Sequence, residues 1–221
     1  IFLQPLGMDF LACAGFQASA IAARDDGALK RWATIAARRL TDATGGGQIL
    51  TNDDVLHSEI ITAPLREKMC APLADGACAC ILRRADSPQS GRQQIHLTGL
   101  GHDLAANFIG DRDLAELSGL VRAATRAYTD AGIANPADEI DIAEPSVAFA
   151  HEEDLFVQAA GLNGNTTISP DGGLFAGYVP IVAGLSRLAM AAGHLQSGDA
   201  RQTVAHGRWG PAGQGQGVVG R

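Results

Sequence analysis

The sequence is poor in aromatic and charged side chains. Aromatics make up 5% of its 221 residues and include two tyrosines and two tryptophans, so each phenol or indole must be accounted for individually. It lacks a positive surplus: 17 Lys and Arg stand against 24 Asp and Glu, a net charge of −7. That argues against nucleic acid or an anionic membrane surface as the main partner. No apolar run approaches the roughly 20 residues that span a bilayer, and no signal-peptide pattern is visible. Cysteine is scarce, with four in all. None sits in a CxxC pair or at zinc-ligand spacing from a histidine. Cys13 and Cys70 stand alone, while Cys78 and Cys80 alternate on an expected strand and read as core. Free thiols in a reducing cytoplasm are the expectation. What is present is 46% hydrophobic residues, in a chain long enough to bury a core as a soluble globular protein. It opens at Ile1 directly into IFLQPLGMDF, without cap or polar lead-in, and so reads as the interior of a longer polypeptide.

The most organised stretch is TTISPDGGLFAGYVPIVAGLSRLAMAAGH, Thr166 to His194. A short strand, Thr167 and Ile168, enters a turn at Pro170-Asp171-Gly172-Gly173. A loop from Leu174 to Val179 follows. Pro180 then opens a helix with apolar positions at Ile181, Leu185, Leu188 and Ala192, proline being favoured where the N–H has no helical partner. Such a loop lies against the positive end of a helix dipole, where negative charge is stabilised. Tyr178 sits on it, two residues before the helix. The plainer alternative is a phenol packed over the helix start.

Met8–Ala23 reads as a helix with small residues on its packing face, and Lys30–Thr44 as a second, with a Trp32, Ile35 and Leu40 stripe and Arg38 and Arg39 on another side. Gly45-Gly46-Gly47 breaks the chain, and Thr51-Asn52-Asp53-Asp54 caps a short helical turn. Ile60–Pro64 is extended, as residues before proline avoid the α region. Asp75-Gly76 turns into Ala77–Arg83, an apolar strand fit for burial on both faces. Further expected elements are a strand at Gln93–Gly99, a long helix at Asp111–Gly132 (core face Leu114, Leu117, Val121, Ala124) and a strand at Ile140–Ala143. A helix capped by Ser146, with Glu152, Glu153 and Asp154 on its solvated side, follows. Strands at Gln202–His206 and Gly217–Val219 close the chain. Alternation of strands and helices predicts an α/β sheet.

The run DVLHSEIITAPLREKMCAPLADGACACIL resembles the thiolase superfamily in its lipid-transfer-protein, sterol-carrier-protein-x type branch. Three later segments extend the likeness in colinear order: RAATRAYTDAGIANPADEIDIAE, SPDGGLFAGYVP and AHGRWGPAGQGQGVV. It covers roughly Leu40 to Arg221. The resemblance implies a layered αβαβα thiolase-like fold of which this chain supplies mainly the C-terminal half. Residues 1–45 would be a helical remnant and 46–221 the C-terminal thiolase-like domain. The half that would carry a family nucleophile lies outside the sequence.

The match departs from working thiolases where their chemistry resides. Serine stands at the first histidine box, Glu144-Pro145-Ser146-Val147-Ala148-Phe149. Gly177-Tyr178-Val179-Pro180 replaces the second. The closing hairpin, His206-Gly207-Arg208-Trp209-Gly210, has no cysteine. Claisen condensation needs a base at the α-carbon and a device that holds the thioester enolate. The pattern is closest to the thiolase-like aldolases of steroid side-chain degradation, which cleave β-hydroxyacyl-CoA thioesters with two tyrosines. The matching positions are Tyr178 and Tyr128, the latter alternatively a helix-packing aromatic. The helix amino end is expected to favour the Tyr178 phenolate, and the Gly172, Gly173 and Gly177 loop to hold the enolate oxygen. Ser146, His206 and Trp209 are candidate pocket residues. Ser146 also reads as a cap, His206 as a structural histidine, and Trp209 as packing a flat ring or a partner. By the same resemblance the expected activity is that of a carbon–carbon lyase on a steroid- or bile-acid-CoA. Coenzyme A is part of the substrate and no separate cofactor is implied; its phosphates would meet Lys30, Arg31, Arg66 or Lys68. A homodimer, and a partner hydratase subunit with a DUF35-type OB-fold domain, are the expected partners. The alternatives are a non-catalytic acyl-CoA-binding or scaffold subunit and an acyl-CoA thiolase with relocated residues.

Overall fold

The computed structural model describes residues 7–86, 94–106, 108–210, 212–213 and 215–220, with side chains to 218. Three helices lead: α1 (Phe10–Ala22), α2 (Ala28–Ala43) and α3 (Asn52–Leu56). A small hairpin follows, β1 (Ile60–Thr62) and β2 (Leu65–Arg66). Next come β3 (Gly99–Leu104), α4 (Ser118–Ala131), α5 (Pro136–Glu139), β4 (Ile142–Glu144), α6 (Ala150–Ala159), β5 (Thr167–Ile168) and α7 (Ala183–Ser197). The strands β6 (Thr203–Trp209) and β7 (Gly215–Gly220) complete the order. Five strands form one mixed sheet, β3-β7-β6-β4-β5. β4 runs parallel to β5 and β6, while β7 is antiparallel to both β6 and β3.

Successive side chains on a strand point to opposite faces, and that sorts the layers. Ala143 and Val204 enter a core with Leu120, Ala123 and Ala127 of α4. Ile142 packs with Leu195 of α7, and the Thr203 hydroxyl donates to the Ala191 carbonyl of the same helix. The sheet is thus held between α4 and α7, an α/β architecture as expected. A second core joins α1 and α2 to Phe149 and to Ala150 and Leu155 of α6, around the fully buried Trp32. Alanine at positions 14, 18, 33, 36 and 37 lets these helices approach closely. Among the described residues, no helix is long and apolar enough to cross a membrane.

Several expected elements are displaced, each for a local reason. Ala77–Arg83 is no strand: it is irregular, with Ile81 90% and Leu82 71% exposed, Cys78 only half-buried and Cys80 exposed. Apolar content makes a strand only where a neighbour supplies backbone partners, and no strand lies beside it among the described residues. The strand expected at 93–99 begins at Gly99 instead; Gln93 lies outside the described residues. The helix expected from Asp111 starts at Ser118. The Asp113 carboxylate accepts from the Ala115 N–H, and Asp111 closes a 3-10 turn on Phe108, so the preceding residues are committed to turns. Its core face is wider than expected: Ala124 is buried and Leu117 packs on the core as expected, Leu120 and Ala123 join them, and Val121 is exposed.

Pro180–Val182 forms a 3-10 turn before α7. Its tighter winding turns the first part of the expected stripe, Ile181 and Leu185, outward, while Leu188 and Ala192 stay half-buried. Ile181 is 98% exposed, and Ala183, Arg187, Ala191 and Leu195 face inward. The largest correction concerns α6. Ser146 does not cap it. The helix begins four residues later, and Glu152 accepts from the Ala148 and Phe149 N–H groups. Glu152 and Glu153, expected in solvent, are both 4% exposed. Arg39 of α2, likewise buried, grips Glu153 with two nitrogens at 2.8 and 2.9 Å and pairs with Asp42.

Candidate functional site

A cavity of about 390 Å³ opens where the start of α1, the β4–α6 loop, the start of α7 and the end of β6 converge. Met8, Asp9, Phe10 and Cys13 form one wall; Ser146, Tyr178, Pro180, Ala183, Arg208 and Trp209 form the others. Tyr178 is anchored by its backbone. Its N–H donates to the Pro72 carbonyl at 2.7 Å and its carbonyl accepts from the Ala74 N–H at 3.0 Å, in a parallel bridge with Leu73. The same extended segment is held one step earlier by Ala71 N–H on the Ala148 carbonyl. The Tyr178 ring stacks 6.2 Å from Phe10, and its hydroxyl has no hydrogen-bond partner among the described residues. The amino end of α7 borders the same cavity through Ala183, five residues on from Tyr178 where two were expected. The phenolate does not gain from this overall: burial raises the Tyr178 pKa and outweighs the nearby Arg208, which lowers it.

Ser146 and Trp209 line the same cavity. Ser146 is fixed to β6, its N–H on the His206 carbonyl and its own carbonyl taking the Arg208 Nε–H at 3.1 Å. Trp209 is half exposed, its indole lying over Gly215 of the paired strand.

The other expected site residues are not at the cavity. Tyr128 is on the buried face of α4, its hydroxyl donating to the Ala160 carbonyl at 3.0 Å, and burial raises its pKa far above the ordinary phenol value. It is the packing aromatic. His206 is fully enclosed, with Nε2 2.6 Å from Gln216 Oε1 and its ring against Phe156; burial pushes its pKa down to about 4. It is neutral and faces a void of about 10 Å³ behind the cavity. Gly172, with φ of +87°, packs on α2, where a Cβ would come within 2.6 Å of the Ala43 nitrogen and the Arg39 carbonyl. Gly173 abuts Ser169, and Gly177 abuts Ala74. The glycine loop therefore shapes the fold around Tyr178 and does not border the cavity. Lys30, Arg31, Arg66 and Lys68 are not among the lining residues. Arg31 is paired with Asp25 and Asp154, and Arg66 with the Ser58 carbonyl.

Sequence reasoning passed over Arg208, Asp9, Cys13 and Glu152. Arg208 carried a usable signal: it is two residues from His206 on one strand, hence on the same face. Its Nη1 lies 2.6 Å from Glu152 Oε1, with both side chains buried, and its guanidinium sits 5.4 Å over the Phe10 ring. Asp9 caps α1 through the Ala12 N–H. Burial raises the Cys13 pKa, so the thiol is not an activated nucleophile. Among the described residues, no cluster of His, Cys, Asp and Glu is arranged to hold a metal ion.

No protein-family model matches the chain, and no curated protein matches its sequence. Solved structures do match in fold. One is the Ltp2-ChsH2(DUF35) aldolase, with a TM-score of 0.75 and 14% identity over 99% of this chain and 65% of that one. Another is a monomeric SCP2-thiolase like protein type 1 from Mycobacterium smegmatis, with a TM-score of 0.75 and 16% identity over 96% of this chain and 51% of that one. The chain thus has a thiolase-like fold and spans about half to two-thirds of the length of these neighbours.

Proposed function

We propose that the chain acts in retro-aldol cleavage of a β-hydroxyacyl-CoA thioester bearing a steroid or bile-acid side chain, with Tyr178 as the proton carrier. The observation that carries this reading is a phenol with an unpartnered hydroxyl on a cavity whose described lining holds no histidine. The likeness in fold to an aldolase supports the same class.

The β-hydroxyl gives its proton to the Tyr178 phenolate. The C–C bond breaks, its electron pair moving onto the thioester oxygen as an enolate while the hydroxyl-bearing carbon becomes a ketone. The phenol then returns the proton to the enolate α-carbon, giving a ketosteroid and a short acyl-CoA such as propionyl-CoA or acetyl-CoA. Atoms and charge balance without a further cofactor. Tyr178→Phe is expected to leave the circular dichroism spectrum intact and lower ketone release by at least about 100-fold, the usual scale of general acid–base catalysis. Undiminished turnover would overturn the reading. Because the ionised phenol starts the cycle and burial raises its pKa, kcat/KM is expected to climb with pH through neutrality and level off only above pH ~10. A plateau already at pH 7 would contradict this role.

A homodimer and a DUF35-type OB-fold domain on a hydratase subunit are the proposed partners. The exposed Leu73, Ile81, Leu82 and Ile181 offer apolar surface for such contacts. The burial of Tyr128 leaves one phenol where two were expected, which favours a second reading, a non-catalytic acyl-CoA-binding or scaffold subunit. Activity of the complex that survives deletion of this chain would select it.

A further inference from the structure

The retro-aldol reading leaves one group unspecified: the device that holds the negative oxygen as the C–C bond breaks. The glycine loop does not border the cavity. Among the described lining residues there is one guanidinium, Arg208, and its geometry is fixed in advance. Nε donates to the Ser146 carbonyl at 3.1 Å, and Nη1 is 2.6 Å from Glu152. Glu152 is itself immobilised by two backbone N–H groups, from Ala148 and Phe149, at 2.9 and 3.2 Å. A guanidinium carries five N–H donors on three nitrogens. Nη2 has no partner among the described residues, and the group borders the cavity that also holds Tyr178.

We infer that Arg208 is the oxyanion-holding residue of this cavity, presenting Nη2 to the thioester oxygen, and that Glu152 is its positioning residue. The inference deepens the retro-aldol reading and rests on it for the identity of the oxygen. A donor held rigid before the reaction stabilises developing charge without reorganising. Glu152 serves two ends: it fixes the fork, and it neutralises a buried cation that would otherwise be too costly to enclose. The arrangement selects a ligand whose oxygen becomes anionic at the Tyr178 end of the cavity, as a thioester oxygen does in enolate formation.

The Tyr178 phenolate is itself a negative oxygen in the cavity, so it reports on Arg208 without substrate. The charged or titratable groups around it are Arg208, Glu152, Asp9 and Cys13. With two tyrosines in the chain, Tyr128→Phe leaves Tyr178 as the one phenol to titrate by ultraviolet absorbance. In that background Arg208→Gln is expected to move the Tyr178 midpoint up, Glu152→Gln to move it down, and Arg208→Lys to stay near the parent. With the thioester substrate, Arg208→Gln is expected to lower kcat by about 100-fold or more with KM changed far less. Arg208→Lys, which keeps the charge and loses the fork, should recover part of that loss.

If Arg208→Gln fails to fold, Glu152→Gln carries the titration and Arg208→Lys the turnover comparison. A Tyr178 midpoint unmoved in whichever of Arg208→Gln and Glu152→Gln folds would overturn the inference, whatever the turnover. Opposite shifts with no thioester cleavage by the parent chain would support the anion site and sink the retro-aldol reading alone.

Discussion

At the scale of single residues, two enclosed histidines contribute to the response to acid. His206 and His151 are fully buried, and their pKa values are pushed down to about 4 and about 3 by loss of solvent. Both sit below the ordinary value near 6.5. A depressed folded-state pKa gives stability that is present above pH ~6.5 and lost as pH falls through the folded value. For His206 the shift corresponds to roughly 3 kcal/mol between pH 7 and pH 4. Glu144 and Glu152 are shifted upward by burial and oppose this trend, so the comparison must be differential. His206→Gln should flatten the pH dependence of the urea midpoint between pH 7 and 4 relative to the parent chain. Equal slopes would show that His206 is not enclosed as described. Residue types in the sequence singled out Tyr178, Ser146 and Trp209, and the structure places all three on one cavity. They misjudged Glu152 and Glu153, because a run of three acidic residues at a helix start normally faces water. Only the tertiary placement of Arg39 and Arg208 reveals that two of the three are enclosed.

At the scale of elements, the tightest joint is α4 against β3. A Cβ on Gly101 would overlap the Ala123 carbonyl, and one on Gly99 the Ala127 carbonyl. The helix backbone rests directly on the strand there, without an intervening side chain. Gly101→Ala should therefore cost on the order of 3 kcal/mol, since neither backbone can give way. Chemical denaturation reads this, and a loss under about 0.5 kcal/mol would mean the two elements are not in contact. The β-strands of the sheet were largely legible because β-branched pairs, Pro and Gly mark their ends. Helix starts were less so. The Asp113 carboxylate takes the Ala115 N–H and Pro180–Val182 winds as a 3-10 turn, local diversions that hydrophobic periodicity does not register. The α/β class survived these shifts because it depends on the order of elements and not on their exact ends.

At the scale of the whole molecule, the described residues combine a five-stranded sheet held between α4 and α7 with a second core of α1, α2 and α6. The cavity lies at the seam between the two cores, so its walls come from residues more than 190 positions apart in sequence, Cys13 and Arg208 among them. No local pattern encodes such a convergence, which is why Phe10 and Cys13 escaped sequence reasoning. The segment at 77–83 failed for a related reason: its continuous apolar run suggests a strand buried on both faces, but a strand is a property of a pair. That segment begins three residues after the Leu73–Ala74 clamp that grips the Tyr178 backbone. Under the proposed function, a partner docked along this exposed ribbon would pull on the tether that fixes the Tyr178 backbone, and assembly would become a mechanical input to chemistry.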